Sequence, residues 1–154
     1  MVRLDLNTVI NILSLQEYSK LTSEEKEELI ECEGIEEVEI FEYLKEKYTG
    51  IKISYIEEKI RTLYKFPLII AGTPKELIAC PCCNYKTIAE RGNYEICPVC
   101  FWEDDGSNDE LKYSHVNHMT LNEAKNNFKE KGAVLDKFLN SVDSEGKLKY
   151  YKAT

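Results

Sequence analysis

Apolar residues recur three or four apart through the first 66 positions. Leu6, Val9, Ile10, Leu13 and Tyr18 predict a helix over roughly 5–18. Thr22-Ser23-Glu24-Glu25 is a capping box, a hydroxyl and a carboxylate placed to bond each other's backbone amides. A second helix is therefore expected from there to about Cys32, with Gly34 as its stop. Ile35, Val38, Phe41, Leu44 and Tyr48 repeat at helical spacing up to Gly50, and Ser54-Tyr55-Ile56-Glu57 reads as another capping box. Ile56, Ile60, Leu63 and Tyr64 would face one way from it. Residues 1–66 thus read as three or four short amphipathic helices.

Phe66-Pro67 ends that pattern. Leu68-Ile69-Ile70-Ala71 is a short apolar run, a strand or a buried linker. Thr73-Pro74 suits a single helical turn, and Leu77-Ile78-Ala79 an edge strand. Lys86–Ala89 and Tyr94–Ile96 are β-prone around the bend Arg91-Gly92-Asn93, which predicts a hairpin. Glu103–Asn117 reads as a polar loop. Thr120-Leu121-Asn122-Glu123 is a third capping box, opening a helix with Leu121, Ala124 and Phe128 inward and Gly132 at its end. Ala133–Leu139 would add one more helix.

Five of the six cysteines lie within the 21 residues from Cys80 to Cys100. Cys80/Cys83 and Cys97/Cys100 are two C-x-x-C pairs separated by 13 residues. A two-residue spacer lets one tight turn present two sulfurs to one ion, and a second turn completes a tetrahedron. Pro81 and Pro98 suit the first corner of each turn, because proline fixes φ and donates no hydrogen bond. The residue after each pair should take a positive φ. Asn84 tolerates that, whereas Phe101 should force its turn to open differently or carry strain. Zn²⁺ is the expected cofactor, and iron suits a four-sulfur tetrahedron as well. Disulfides and a thioredoxin-like redox centre are the competing readings. Cys82 is left over, as packing or as a sensor thiol.

The run Cys80-Pro81-Cys82-Cys83, followed by Tyr94 through Asp105, resembles the cysteine-rich CPCC family. The resemblance continues into Asn117, Leu121-Asn122-Glu123-Ala124, Asn127 and Phe128, covering about 78–132. It implies a small bacterial zinc-ribbon-like domain and supplies no catalytic residues. Asn84 stands where the family usually has glycine, and Ser114-His115-Val116 where it tends to be glycine-rich. The expected fold class is α+β. An acidic helical region, 1–66, precedes a CPCC-type zinc-ribbon β-hairpin domain, 67–154, closed by one or two helices.

Charge narrows the functional classes. The net charge is −8, with eleven acids against two lysines between Glu24 and Glu46, so the rest of the chain is close to neutral. Duplex nucleic acid is a poor partner for such a chain. Arg3, Asp5, Asn7 and Asn11 interrupt Met1–Leu15, so no membrane span or cleavable signal is expected and cytoplasmic residence follows. No nucleophile motif or glycine-rich phosphate loop appears, and an enzyme is not expected. The leading reading is a protein-interaction module for a basic protein, of the inhibitor or immunity type. Trp102, Glu36, Glu39, Asp104 and Asp105 are its candidate partner-binding residues. A nucleic-acid-binding ribbon and a redox sensor using Cys82 are the alternatives.

Overall fold

Asp5 sets the start of the first helix: its carboxylate accepts the Thr8 amide at 3.0 Å, capping α1 (Leu6–Lys20). The computed structural model describes residues 1–154. In it the residues before α1 form strand β1 (Val2–Asp5), which helical periodicity could not announce. Helix α2 (Ser23–Glu33) begins at the expected box. The Thr22 hydroxyl accepts the Glu25 amide at 3.1 Å and the Glu25 carboxylate accepts the Thr22 amide at 2.8 Å. Gly34 ends it with φ 65°.

The helix expected from Ile35 onward is shorter. Glu37–Glu39 form a 3₁₀ turn and α3 covers only Ile40–Glu46. The Glu39 carboxylate accepts the Glu36 amide at 2.8 Å, which restarts the chain there and leaves Val38 81% exposed. The inward positions are Ile40 and Leu44. Helix α4 (Ile53–Tyr64) starts one residue before the supposed cap Ser54, and no side chain caps it. Glu57 accepts the Ile70 amide at 3.0 Å instead of closing a box. Ile56 and Ile60 are buried as expected, whereas Leu63 and Tyr64 are exposed.

Strand β2 (Leu68–Ala71) pairs in parallel with β1, in register from Val2↔Leu68 to Asp5↔Ala71. Parallel pairing requires a long crossover, and α1 to α4 supply it. The first compact unit is accordingly Met1–Lys75 and the second Glu76–Thr154, so the division falls after Lys75 rather than after Phe66. Val9, Leu13, Ile40, Leu44, Ile56, Ile60 and Ile70 form the interior of the first unit. Thr73-Pro74 forms no helical turn.

The second unit has shorter elements: β3 (Ile78–Ala79), β4 (Lys86–Ile88), β5 (Tyr113–Ser114), β6 (Met119–Thr120), α5 (Leu121–Lys131) and α6 (Gly146–Lys149). The α+β class holds, but the pairing differs from the expected hairpin. β4 pairs with β3 across the first cysteine turn, not with Tyr94–Ile96. Residues 94–96 turn instead to the far side of the second cysteine turn, where Ile96 bridges Glu103. Helix α5 carries its full box at Thr120 and Glu123, and Gly132 ends it at φ 92°. Of Ala133–Leu139 only Asp136–Phe138 are helical, as a 3₁₀ turn. Trp102, Ile88, Val99, Met119, Leu121, Ala124 and Val134 pack around the cysteines. No helix is long and apolar enough to cross a membrane.

Candidate metal centre

Each C-x-x-C turn is closed by the same pair of backbone bonds. In the first, the Asn84 amide donates to the Cys80 carbonyl at 2.9 Å and the Cys80 amide to the Tyr85 carbonyl at 2.8 Å. In the second, Phe101 donates to Cys97 at 2.8 Å and Cys97 to Trp102 at 2.9 Å. The two turns are therefore equivalent, and both need a left-handed residue at the same place. Asn84 takes φ 66° and Phe101 φ 69°. The second turn thus does not open differently. It accepts a bulky side chain in a conformation that favours glycine, and Phe101 stacks on Phe138 at 4.2 Å.

The turns face each other. Cys80, Cys83, Cys97 and Cys100 are all buried, with their four Sγ atoms within 4.8 Å of one another. Cys80 and Cys100 lie 3.7 Å apart and Cys83 and Cys97 3.6 Å apart. Both distances far exceed a disulfide, and all six cysteines are free. A tetrahedron with metal–sulfur bonds of about 2.3 Å has sulfur–sulfur edges of about 3.8 Å, so the four positions fit a single metal ion.

Packed this closely, the thiols cannot all behave alike. Hydrogen bonds from Cys100, Cys80 and Cys83 hold Cys97 well below the ordinary thiol range, and the Thr87 hydroxyl adds another at 3.1 Å. Burial raises Cys100, with its bonds to the other cysteines adding to the rise. A bound divalent cation would make all four thiolates and tie the two turns together.

Segments from later in the chain cover both turns. The Val134 amide donates to the Cys100 carbonyl at 2.9 Å and Asp143 to Pro98 at 2.8 Å. A Cβ on Gly146 would meet Val99 at 3.0 Å, so α6 approaches the second turn as closely as a side-chain-free residue allows. At the first turn, Ala153 donates to Asn84 and Lys86 to Tyr151, while the Asn84 side chain donates to the Ala153 carbonyl at 2.9 Å.

Buried and half-buried polar side chains hold the loops that follow. One Asp104 carboxylate oxygen accepts the Arg91 guanidinium and the Gly92 amide, both at 2.8 Å. Asn117 bonds both backbone groups of Glu103, at 2.9 and 2.8 Å, and Asn127 donates to the Val134 carbonyl at 2.9 Å. The sequence reading missed Arg91 and Asn127 as anchors. Arg91 carried one signal: it is the only cation between Thr87 and Leu111, in a stretch dense with acids.

These contacts remove two expected partner-binding residues. Trp102 is 1% exposed in the core and Asp104 is fully buried on Arg91, so neither offers a surface. Asp105 is half-buried and accepts the Ser107 amide. Glu36 and Glu39 remain exposed in the first unit, Glu39 serving as the local cap. The leftover thiol, Cys82, is 7% exposed, as packing requires.

Fold and site together define a small α+β domain assembled around a four-thiol cluster able to hold a metal ion. Residues 78–147 match the family model described as cysteine-rich CPCC. The match runs past α5 into α6, taking in the segments that cover the second turn. No curated protein and no solved structure matches the chain.

Proposed function

We propose that this chain is a zinc-stabilised binding protein whose helical unit engages a basic protein, as an inhibitor or immunity-type partner does. Four thiolates with no oxygen or nitrogen donor are the ligand set of structural zinc, and a closed set leaves no position for substrate. The metal is then architectural, and the chain is read as a binding protein rather than an enzyme. The observation that carries the partner reading is the charge of α2. Glu24, Glu27, Glu28 and Glu31 form no ion pair within the chain, and the nearby Lys26 is shared between Glu37 and the Tyr18 ring. Unpaired carboxylates on one helix steer and orient a cationic partner.

The alternatives have less support. A nucleic-acid ribbon needs a basic footprint, and the cysteine turns carry only Lys86 and Arg91, both already ion-paired. A sensor thiol needs access, and Cys82 is buried.

The test is capture of the full chain's partner from its own cell extract at low and high salt, with metal analysis of the purified protein. A basic protein retained at low salt and released at high salt, together with one zinc per chain, is the expected result. Retention that ignores salt, or a partner that is acidic, would overturn the reading.

A further inference from the structure

Helices α1, α2 and α3 enclose a groove of about 570 Å³ within the first unit. That volume is typical of a binding cleft, about 300–1,000 Å³. Leu21, Leu29 and Leu44 form its apolar floor. Glu25, Glu28 and Glu33 stand along its α2 side, and Cys32 opens onto it. Two lysines, Lys20 and Lys47, also line it, so acids dominate without being alone.

The helix that walls this groove packs only lightly on its neighbours, touching α3 and reaching Glu37 and the Tyr18 ring through Lys26. Helix α2 has no fully buried residue, and Leu29 and Ile30 are only half-buried. Its acids sit three and four positions apart, Glu24 with Glu27 and Glu28, Glu31 with the same two, so they repel along the helix. An apolar floor asks for apolar side chains, and an acidic wall asks for cations beside them. A helix offers both at once, with anchors three and four residues apart on one face and lysine or arginine at its margins.

We infer that this groove receives a short amphipathic, cationic helix of the partner protein. Its apolar residues would sit on Leu21, Leu29 and Leu44, and its basic residues against Glu25, Glu28 and Glu33. The inference rests on the reading of a basic partner given above and narrows it to one surface and one shape of ligand.

Cys32 makes the occupancy measurable, because it is the exposed cysteine while the other five are buried. Two synthetic peptides of leucine and lysine, about 18 residues or five helical turns long, serve as probes. One places leucines at i, i+3, i+4 and i+7; the other has the same composition shuffled so that no apolar face forms. Binding to the metal-loaded full chain is followed by fluorescence anisotropy, and alkylation of Cys32 is timed with each peptide present.

The patterned peptide is expected to bind at least about tenfold more tightly than the shuffled one and to slow Cys32 alkylation by a similar factor. Leu29→Lys should remove that advantage, and Glu28→Lys should weaken both peptides, with far-ultraviolet circular dichroism confirming that each variant keeps its helices. If both peptides bind equally and Cys32 alkylates at its free rate, the groove assignment is wrong while the acidic surface still attracts cations. If neither binds at low salt, the basic-partner reading fails as well.

Discussion

In Met1–Lys75 the interior consists of aliphatic side chains on helices of 7 to 15 residues, closed by a parallel strand pair. In Glu76–Thr154 five of the buried residues are cysteines, and no strand exceeds three residues. Strands that short cannot hold a register alone, since even an isolated two-stranded hairpin is marginal in water. The first unit has a packed aliphatic interior, whereas the second is assembled around four thiols that could hold a metal ion. The densest run of acids, Glu24 to Glu46, falls in the unit without the cysteine cluster.

The sharpest way to break this contrast is to take away the metal. Exhaustive chelation, or Cys97→Ser, should abolish amide-exchange protection across residues 76–154 and leave α1, α3 and α4 protected. Structural zinc contributes apparent free energies of about 10–16 kcal/mol in small fingers. Retained protection in the second unit after complete demetallation would show that its packing suffices.

Core truncations come next. Trp102→Ala should cost about 3–5 kcal/mol in the second unit, because its side chain fills the space beside both cysteine turns. Ile56→Ala should cost about 2–5 kcal/mol in the first unit alone. Unfolding followed by unit-specific amide exchange, with zinc content measured alongside, separates them: only the tryptophan variant should weaken metal retention.

Smaller effects divide the two matching caps. Thr120→Ala should cost about 1 kcal/mol in unfolding of the second unit, since α5 buries Leu121 and Ala124. Thr22→Ala should instead show as local fraying of α2, which has no fully buried residue, with little change in the global melt. The Thr120 cap also carries a pH signature. Its backbone amide, and then its hydroxyl, hold the Glu123 carboxyl below the usual range. That contribution is complete above the ordinary carboxylate pKa and is lost as pH falls through the depressed one. Glu123→Gln should therefore flatten the acid side of the stability profile.

The smallest expected change is a gain. Glu24→Gln with Glu27→Gln should stabilise the first unit by about 0.2–0.5 kcal/mol per repulsive pair removed at low salt, and by nothing measurable at high salt.

What the sequence revealed was whatever short-range chemistry decides. The boxes at Thr22 and Thr120, the glycine stops at Gly34 and Gly132 and both cysteine turns depend on residues within five positions of one another. Most of the misread parts were decided at long range. Ser54-x-x-Glu57 has the letters of a box, yet Glu57 serves an amide 13 residues away on β2. One misreading was local: the helical spacing of Ile35 and Val38 was overridden by the Glu36–Glu39 cap, whose two residues are only three positions apart. Asp104 stood in an expected polar loop and Trp102 was a candidate partner contact, but Arg91 and the cysteine core draw both inward. Of the β-prone segments around Arg91-Gly92-Asn93, Lys86–Ile88 became a strand paired across the first cysteine turn, whereas Tyr94 took φ 57° and only Ile96 made a bridge, to Glu103 past the second turn.

The tail across the first turn has a further consequence. Tyr151 and Ala153 occupy backbone groups of Lys86 and Asn84 along one margin of β4, and β3 holds the other. Trimming the last few residues would leave that margin free to recruit a neighbouring molecule's backbone. A version without them should accordingly form oligomers or precipitate under conditions that keep the chain with them dissolved, even with zinc supplied.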